Sequence, residues 1–516
     1  MSENNFHYKW ATWGDLNAFF GLMLDNVSNL VILTSILVGG FGFPAQFVYT
    51  YMIPGTALGV LIGDLVYTYL AFRLAKRTGK ADVTAMPLGL DTPSTVGIAV
   101  AVLGPTYVVS QDPMLAWQVG MATLVFIGII KIIFSFFGEQ IRRMVPQAGL
   151  LGSLAGIGLV LLSFIPLISI FQFPLVGLTA LGIIIYTLVA KLPLLGRLPG
   201  AFIAVLAGTL IYYLAGISGL SSLDITIPEL HPIFSFPTPT LDFLKGIPDA
   251  LKYLPIAIPF GILTIIGGIN VTESARVAGD NYHTRSILLT EALSTLIAGI
   301  CGGVSQTTPF IGHPAYKSMG GRAAYTLATG LFIGLGGMFG YISIIIDIIP
   351  VAAICPILIF IGLEIITQAY HACPQRHTPA VSFAFLPIIA YLLLIQIDGV
   401  LSDLHQSPSD LSRNLFQSYE AIKVLAHGFI LTALLWGAVI ALIIDQRMKA
   451  AASYMFVTSV LTLFGLIHSV APHGEIYLPW TVTSPLPCQI ALAYLLLASL
   501  LFLLHYVKKP VFQNGA

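Results

Sequence analysis

Apolar runs of roughly twenty residues recur along the chain from Phe19 to Leu504, separated by short polar connections. They fall near residues 18–39, 47–74, 90–107, 115–138, 147–169, 173–190, 200–216, 255–279, 286–303, 311–319, 323–348, 351–369, 380–397, 421–444, 452–470 and 488–507. The pattern predicts an all-α polytopic membrane protein of about sixteen segments. Two segments break it. Residues 83–96 and 304–317 stand where spanning helices belong, yet open with Thr, Pro and Gly instead of Leu and Ile. Backbone at membrane depth must satisfy its own hydrogen bonds, so a non-helical start survives only when buried in protein or lining a cavity. Interrupted segments at corresponding places in two halves point to the binding site of a carrier.

The loop charges give the orientation. Arg73, Lys76, Arg77 and Lys80 share one side with Arg142, Arg143, Lys191, Arg197, Arg276, Arg285, Lys317, Arg322, Arg376, Arg447, Lys449, Lys508 and Lys509. The alternate loops are neutral or acidic, with Asp112, Asp224, Glu229, Asp347, Asp398, Asp403 and Glu475. This bias places both termini in the cytoplasm of a multi-pass protein of the cytoplasmic membrane, with the lipid bilayer as its solvent. The interrupted segments are the third and the tenth. They therefore run in opposite directions, as in an inverted repeat with copies near residues 15–216 and 250–445. The last two spans fall outside it.

Composition narrows the classes. With 57% hydrophobic and 9% charged residues, the chain has too few charges for a water-facing surface. A formal net charge of zero and the lack of a basic patch argue against a nucleic-acid partner. Cys301, Cys355, Cys373 and Cys488 are scattered, without metal-ligand spacing or a disulfide framework, and read as small hydrophobes in helix packing. No cofactor and no metal site are expected. Residues 1–14 are polar and lack the basic start of a signal peptide.

Half-helices that begin at mid-membrane direct N–H groups and a positive dipole end at whatever fills the cavity. The candidate substrate-binding positions are Gly89, Leu90, Asp91 and Thr92 on the first, and Thr308, Phe310, Ile311, Gly312 and His313 on the second. The competing reading is two kinked structural helices. Asp91 stands at a first turn, where capping and ligand contact are equal alternatives. His313 could meet a ligand or be a satisfied interior histidine. Glu273 lies in the eighth span, where an ionised carboxylate is costly unless paired or solvated; this suits a proton-coupling group, against the alternative of an ion pair with Arg276. Asp25, Asn29 and Asn270 are possible cavity-lining residues. Asp64, Glu291 and Glu364 could be interhelical hydrogen-bonding groups, and Lys131 is expected to snorkel toward the cytoplasmic end of its span.

Pro87-Leu-Gly-Leu-Asp91, the Ala292–Gly299 stretch, Thr307-Thr308 and Gly320-Gly-Arg322 resemble the nucleobase/ascorbate transporter superfamily, the xanthine/uracil permeases, and within it the adenine/guanine/hypoxanthine permease branch. The resemblance spans roughly residues 15–445 and implies a 7+7 inverted-repeat transporter fold. A core domain (residues 15–138 and 250–348) would hold the substrate, and a gate domain (139–216 and 349–445) would move against it, within a homodimer. Residues 446–516 form an extension with two extra spans. By this resemblance the chain is a secondary active, proton-coupled nucleobase permease. Its partners are a small-molecule substrate and a coupling ion, a proton rather than sodium, and Glu273 binds the base. The family's carboxylate after the tenth-span Thr-Thr is missing, with Ile311 or Gly312 in its place. The alternative is an anion carrier or channel of the same architecture, as in sulfate/bicarbonate carriers, which the lack of Lys or Arg near Thr308–Gly312 and the presence of Glu273 in the neighbouring helix disfavour. An intramembrane enzyme would need a catalytic constellation, and none is visible.

Overall fold

The computed structural model describes residues 8–190, 192, 200–218, 233–310, 312–404, 406–472 and 474–507. Among the loop charges, Lys191, Arg197, Asp224, Glu229, Lys508 and Lys509 lie outside the described residues, as does Ile311. The architecture is an all-α polytopic membrane fold of the inverted-repeat type. Among the described residues, ten helices are long and apolar enough to cross a membrane, or twelve counting two bent pairs, and two shorter apolar helices join them. With the helix Thr284–Ile300 and the half-helix His313–Ser318, these match the sixteen apolar runs one for one.

The elements that build the candidate site are α1 (Gly14–Thr34), α2 (Ile53–Thr78), β1 (Leu88–Leu90), α3 (Thr92–Ile98), α4 (Pro113–Met144), α5 (Leu254–Val277), α6 (Thr284–Ile300), β2 (Thr307–Pro309), α7 (His313–Ser318) and α8 (Ala324–Phe339). Beyond α3 the helical path continues to Ser110, which completes a span of 19 residues.

The chain groups into two units. The first comprises Met1–Ile141, Ile165–Ala250 and Phe260–Phe360. Its helices approach through small residues, as apolar helices in lipid must, because lipid tails are as apolar as leucine and only close packing favours contact. A Cβ added at Gly334 would lie 2.7 Å from the Leu61 Cβ, and one at Gly337 would lie 2.5 Å from the Ala57 Cβ. Gly55 is tighter, with the Gly303 backbone nitrogen 2.3 Å from an added Cβ. These contacts lock α2 against α8 and against the strand-bearing loop after α6.

The second unit comprises Arg142–Phe164, Leu251–Pro259 and Ile361–Ala516. Ala148, Ala155, Ala380, Val381 and Ala441 form one of its apolar clusters. The C-terminal spans, α10 (Met448–Leu463) and α11 (Leu486–Val507), pack on α9 (Phe429–Ile444) through Val439, Leu442, Ala451, Met455, Ala498 and Leu501. A polar clasp adds to this apolar seam. The Tyr494 hydroxyl accepts from Trp436 Nε1 at 3.0 Å and lies 2.9 Å from His468 Nε2.

Candidate functional site

The two interrupted segments meet as a two-stranded antiparallel pair, with Leu88 opposite Pro309, Gly89 opposite Thr308 and Leu90 opposite Thr307. Asp91 N donates to Gln306 O at 3.0 Å, and Phe310 N donates to Pro87 O at 2.9 Å, which extends the pairing at both ends. Pro87 precedes β1 and Pro309 ends β2, and both strands are too short to stand alone. Each strand supplies the backbone partners the other lacks, as buried non-helical backbone requires.

Side chains complete the outer edges. Leu88 N donates to Asp64 Oδ1 at 3.3 Å, and Leu90 N donates to Asn26 Oδ1 at 3.0 Å. Asn29 Nδ2 donates to Leu90 O at 3.5 Å. On the second strand, Thr307 N donates to Thr295 Oγ1 at 3.2 Å, and Thr307 O accepts from Lys131 Nζ at 2.7 Å. Helices α1, α2, α4 and α6 thus replace the strands a sheet would otherwise need. This is why the segments stay extended inside a helical bundle.

The charges follow from that arrangement. Lys131 and Glu291 lie 3.5 Å apart with neither side chain exposed. Lys131 therefore does not snorkel: α4 runs on to Met144, so the lysine sits over three turns from the helix end and turns inward. The expectation that no cation lies near Thr308–Gly312 is overturned with it. The Thr308 hydroxyl is 3.5 Å from Glu291 Oε2. Asp91 caps α3 by accepting from Ser94 N at 3.0 Å, and its Oδ2 also takes Gln306 Nε2 at 3.3 Å. A Cβ on Gly89 would lie 3.3 Å from Asp25 Oδ2, so this carboxylate overhangs the strand. Asp25, Asp91, Thr308, Phe310 and Gly312 are partly exposed and form the open side of the pair. Thr92 and Leu90 are buried behind it. The Phe310 ring lies over Gly312, where an added Cβ would come within 2.6 Å of it, and tilts on Tyr316 at 6.1 Å.

His313 and Glu273 stand elsewhere. His313 is fully buried, with Nε2 3.3 Å from Asp280 Oδ2 and 3.3 Å from Thr84 O. Lys317 Nζ reaches Asp280 Oδ1 at 2.7 Å, and Thr84 N donates to Asp280 Oδ2 at 3.1 Å. Asp280 lies in the turn between α5 and α6. Burial pushes its carboxyl up, but the bonds from His313 and Lys317, the Lys317 charge and the Thr84 N–H together hold it below the usual carboxylate range. Glu273 is half exposed and binds Arg276, one turn on, through Arg276 Nε at 2.9 Å. Asn270 is exposed as well. Glu291 from α6, not Glu273, joins Asp25 and Asp64 as a carboxylate turned toward the strands.

Sequence reasoning passed over Asn26, Gln306, Asp280 and the inward turn of Lys131. An intramembrane lysine was the available signal, since such groups face the bundle interior far more often than lipid.

No family model matches the chain, and no curated protein matches it. Solved structures do share its fold. The chain is similar to SLC26A9, with 12% identity and a TM-score of 0.51, over 84% of this chain and 65% of that one. It therefore spans about two thirds of the length of SLC26A9. It is also similar to the transmembrane domain of the cyanobacterium bicarbonate transporter BicA, with 17% identity and a TM-score of 0.48, over 77% of this chain and 97% of that one. The likeness to SLC26A9 is one of fold.

Proposed function

We propose that the chain is a secondary transporter that holds a small solute on the open side of the β1–β2 pair. Residues 15–138 and 250–348 would carry that site past residues 139–216 and 349–445, within a dimer whose termini face the cytoplasm. The observation that carries the reading is the pairing itself: two strands from opposite halves, kept non-helical by side chains of four helices, present polar groups at one face. Irregular backbone in a membrane protein survives where it is buried or lines a cavity, and carriers place their sites at such breaks.

A small anion is the first substrate class. The span that begins with α3 starts at the strand pair and directs its N-terminal end there, whereas Lys131 is neutralised by Glu291 and lends the open side no net charge. Asp25 overhangs that face, so an anion is held there only if a proton comes with it. This makes a proton, rather than sodium, the coupling ion.

A nucleobase is the second class. Asp25, Asp91 and Thr308 offer acceptors to the N–H edge of a ring, and half-buried Phe310 offers a face.

Uptake into proteoliposomes decides between them. Labelled bicarbonate, sulfate and chloride are compared with adenine, xanthine and uracil under an imposed pH gradient. Gradient-driven anion uptake supports the first class, and uptake of bases alone selects the second. Undiminished proton-driven uptake by Asp25→Asn would remove the proton step assigned to Asp25.

A further inference from the structure

Among the described residues, Lys131 is the one buried lysine or arginine. Three oxygens of three chemical kinds surround its ammonium: the Thr307 carbonyl at 2.7 Å, the Thr295 hydroxyl at 3.3 Å and the Glu291 carboxylate at 3.5 Å. An ammonium has three N–H donors and no acceptor, so this set uses it completely. Without the lysine, the same oxygens would be a buried cluster of hard donors carrying one negative charge. Carbonyl, hydroxyl and carboxylate oxygens are the ligands that hard metal cations take.

We propose that Lys131 is a tethered cation filling an alkali-cation site behind the β1–β2 pair, so that the protein needs no sodium ion there.

Two further observations favour this over a plain salt bridge. The Thr307 carbonyl already accepts from the Thr295 hydroxyl at 3.3 Å, so the lysine is not required to satisfy it. The buried Glu291 carboxylate has Lys131 as its ion-pair partner at 3.5 Å, so its charge depends on a cation alongside. The position also matters for the strand. Thr307 lies next to Thr308, which faces the open side, so whatever cation holds the Thr307 carbonyl fixes the substrate-side residue beside it. A free ion could leave and release the strand. A tethered ammonium stays, which frees transport from the sodium gradient and leaves coupling to other groups. The consequence for coupling rests on the transport reading above, whereas the cation site itself does not.

The test is ion binding by the purified full-length protein in detergent. Melting temperatures of wild type and Lys131→Ala are compared in NaCl, LiCl, KCl and choline chloride at equal ionic strength. Wild type should melt alike in all four. Lys131→Ala should melt about 2–4 °C higher in NaCl or LiCl than in choline chloride. Adding Thr295→Val should abolish that difference. A folded Lys131→Ala that responds to no alkali cation overturns the proposal, as does a wild type that sodium stabilises beyond choline. Lys131→Met and Lys131→Met/Glu291→Gln guard against misfolding. If both single variants fail to fold in high sodium while the double variant folds, sodium does not replace the ammonium and the proposal fails. The readout is binding, so its failure leaves the transport reading standing, and failed uptake leaves this result intact.

Discussion

His313 Nε2 and Asp280 Oδ2 lie 3.3 Å apart with neither side chain exposed, and this contact ties the tenth-segment half-helix to the turn after α5. Because Lys317 and Thr84 bind the same carboxylate, Asp280 gathers α7 and the approach to β1 at one point. Its carboxyl is held below the ordinary value of 3.8. A depressed carboxyl pKa contributes stability that is complete above the unfolded value and is lost as pH falls through the folded one. Asp280→Asn should therefore destabilise the protein at pH 7 by about 2–4 kcal/mol. The melting temperatures of variant and wild type should converge below about pH 4, as the native carboxylate protonates. A constant gap from pH 7 to pH 3 would contradict this.

The two glutamates should separate cleanly. Glu273→Gln removes one exposed ion pair, of a kind that contributes about 0–1 kcal/mol, so uptake and melting temperature should stay near wild type. Glu291→Gln leaves Lys131 as a buried cation without its counter-charge and should cost about 3–5 kcal/mol. Thermal melts and initial uptake rates of both variants, measured side by side, check the contrast.

Asn26 tests how the strand is held. Its Oδ1 accepts the Leu90 N–H at 3.0 Å in a fully buried setting. Asn26→Ala strands that N–H and should cost about 1–3 kcal/mol. Asn26→Asp keeps the acceptor and should retain more of the stability. Hydrogen exchange at Leu90 should quicken in the alanine variant and stay slow in the aspartate one.

Gly55 and Gly267 make a packing control. A Cβ at Gly55 would meet backbone atoms 2.3–2.7 Å away, which cannot yield without moving the loop after α6. Gly267 has nothing within 4 Å of an added Cβ. Gly55→Ala should abolish recovery of folded protein, whereas Gly267→Ala should be recovered at wild-type yield. Size-exclusion profiles in detergent distinguish them.

The fold was largely legible from hydropathy. Spans of twenty apolar residues have one stable solution in lipid, and the Pro/Gly breaks at 83–96 and 304–317 could survive only by pairing with something. That they pair with each other is a three-dimensional fact, and the antiparallel sense of the pair agrees with their opposite directions. The irregular stretch that holds Gly89, Asp91, Thr308 and Phe310 was legible, because backbone irregularity is written locally. The partners of Lys131, Glu291 and Asn26 were not legible, because which residues of distant helices and strands meet is settled only by packing. Glu273 drew attention as an acid within an apolar run, but it sits one turn from Arg276 near the end of α5, where water and a partner are close at hand. His313 read as a ligand or a satisfied histidine, and its partner, Asp280, is invisible until α7 and the turn after α5 are seen together.

The side-chain caps on the β1 edge also bear on the order in which the chain is made. Leu88–Leu90 cannot pair with Thr307–Pro309 until more than two hundred further residues have been synthesised, roughly 10–40 s at ordinary elongation rates. For that interval the first strand has no neighbour. Asn26 and Asp64, which hold the Leu90 and Leu88 N–H groups, both precede it in the chain and are already in the bilayer when it emerges. The nascent first half therefore carries its own means of shielding one edge of an unfinished strand, and only the edge that faces β2 is left waiting.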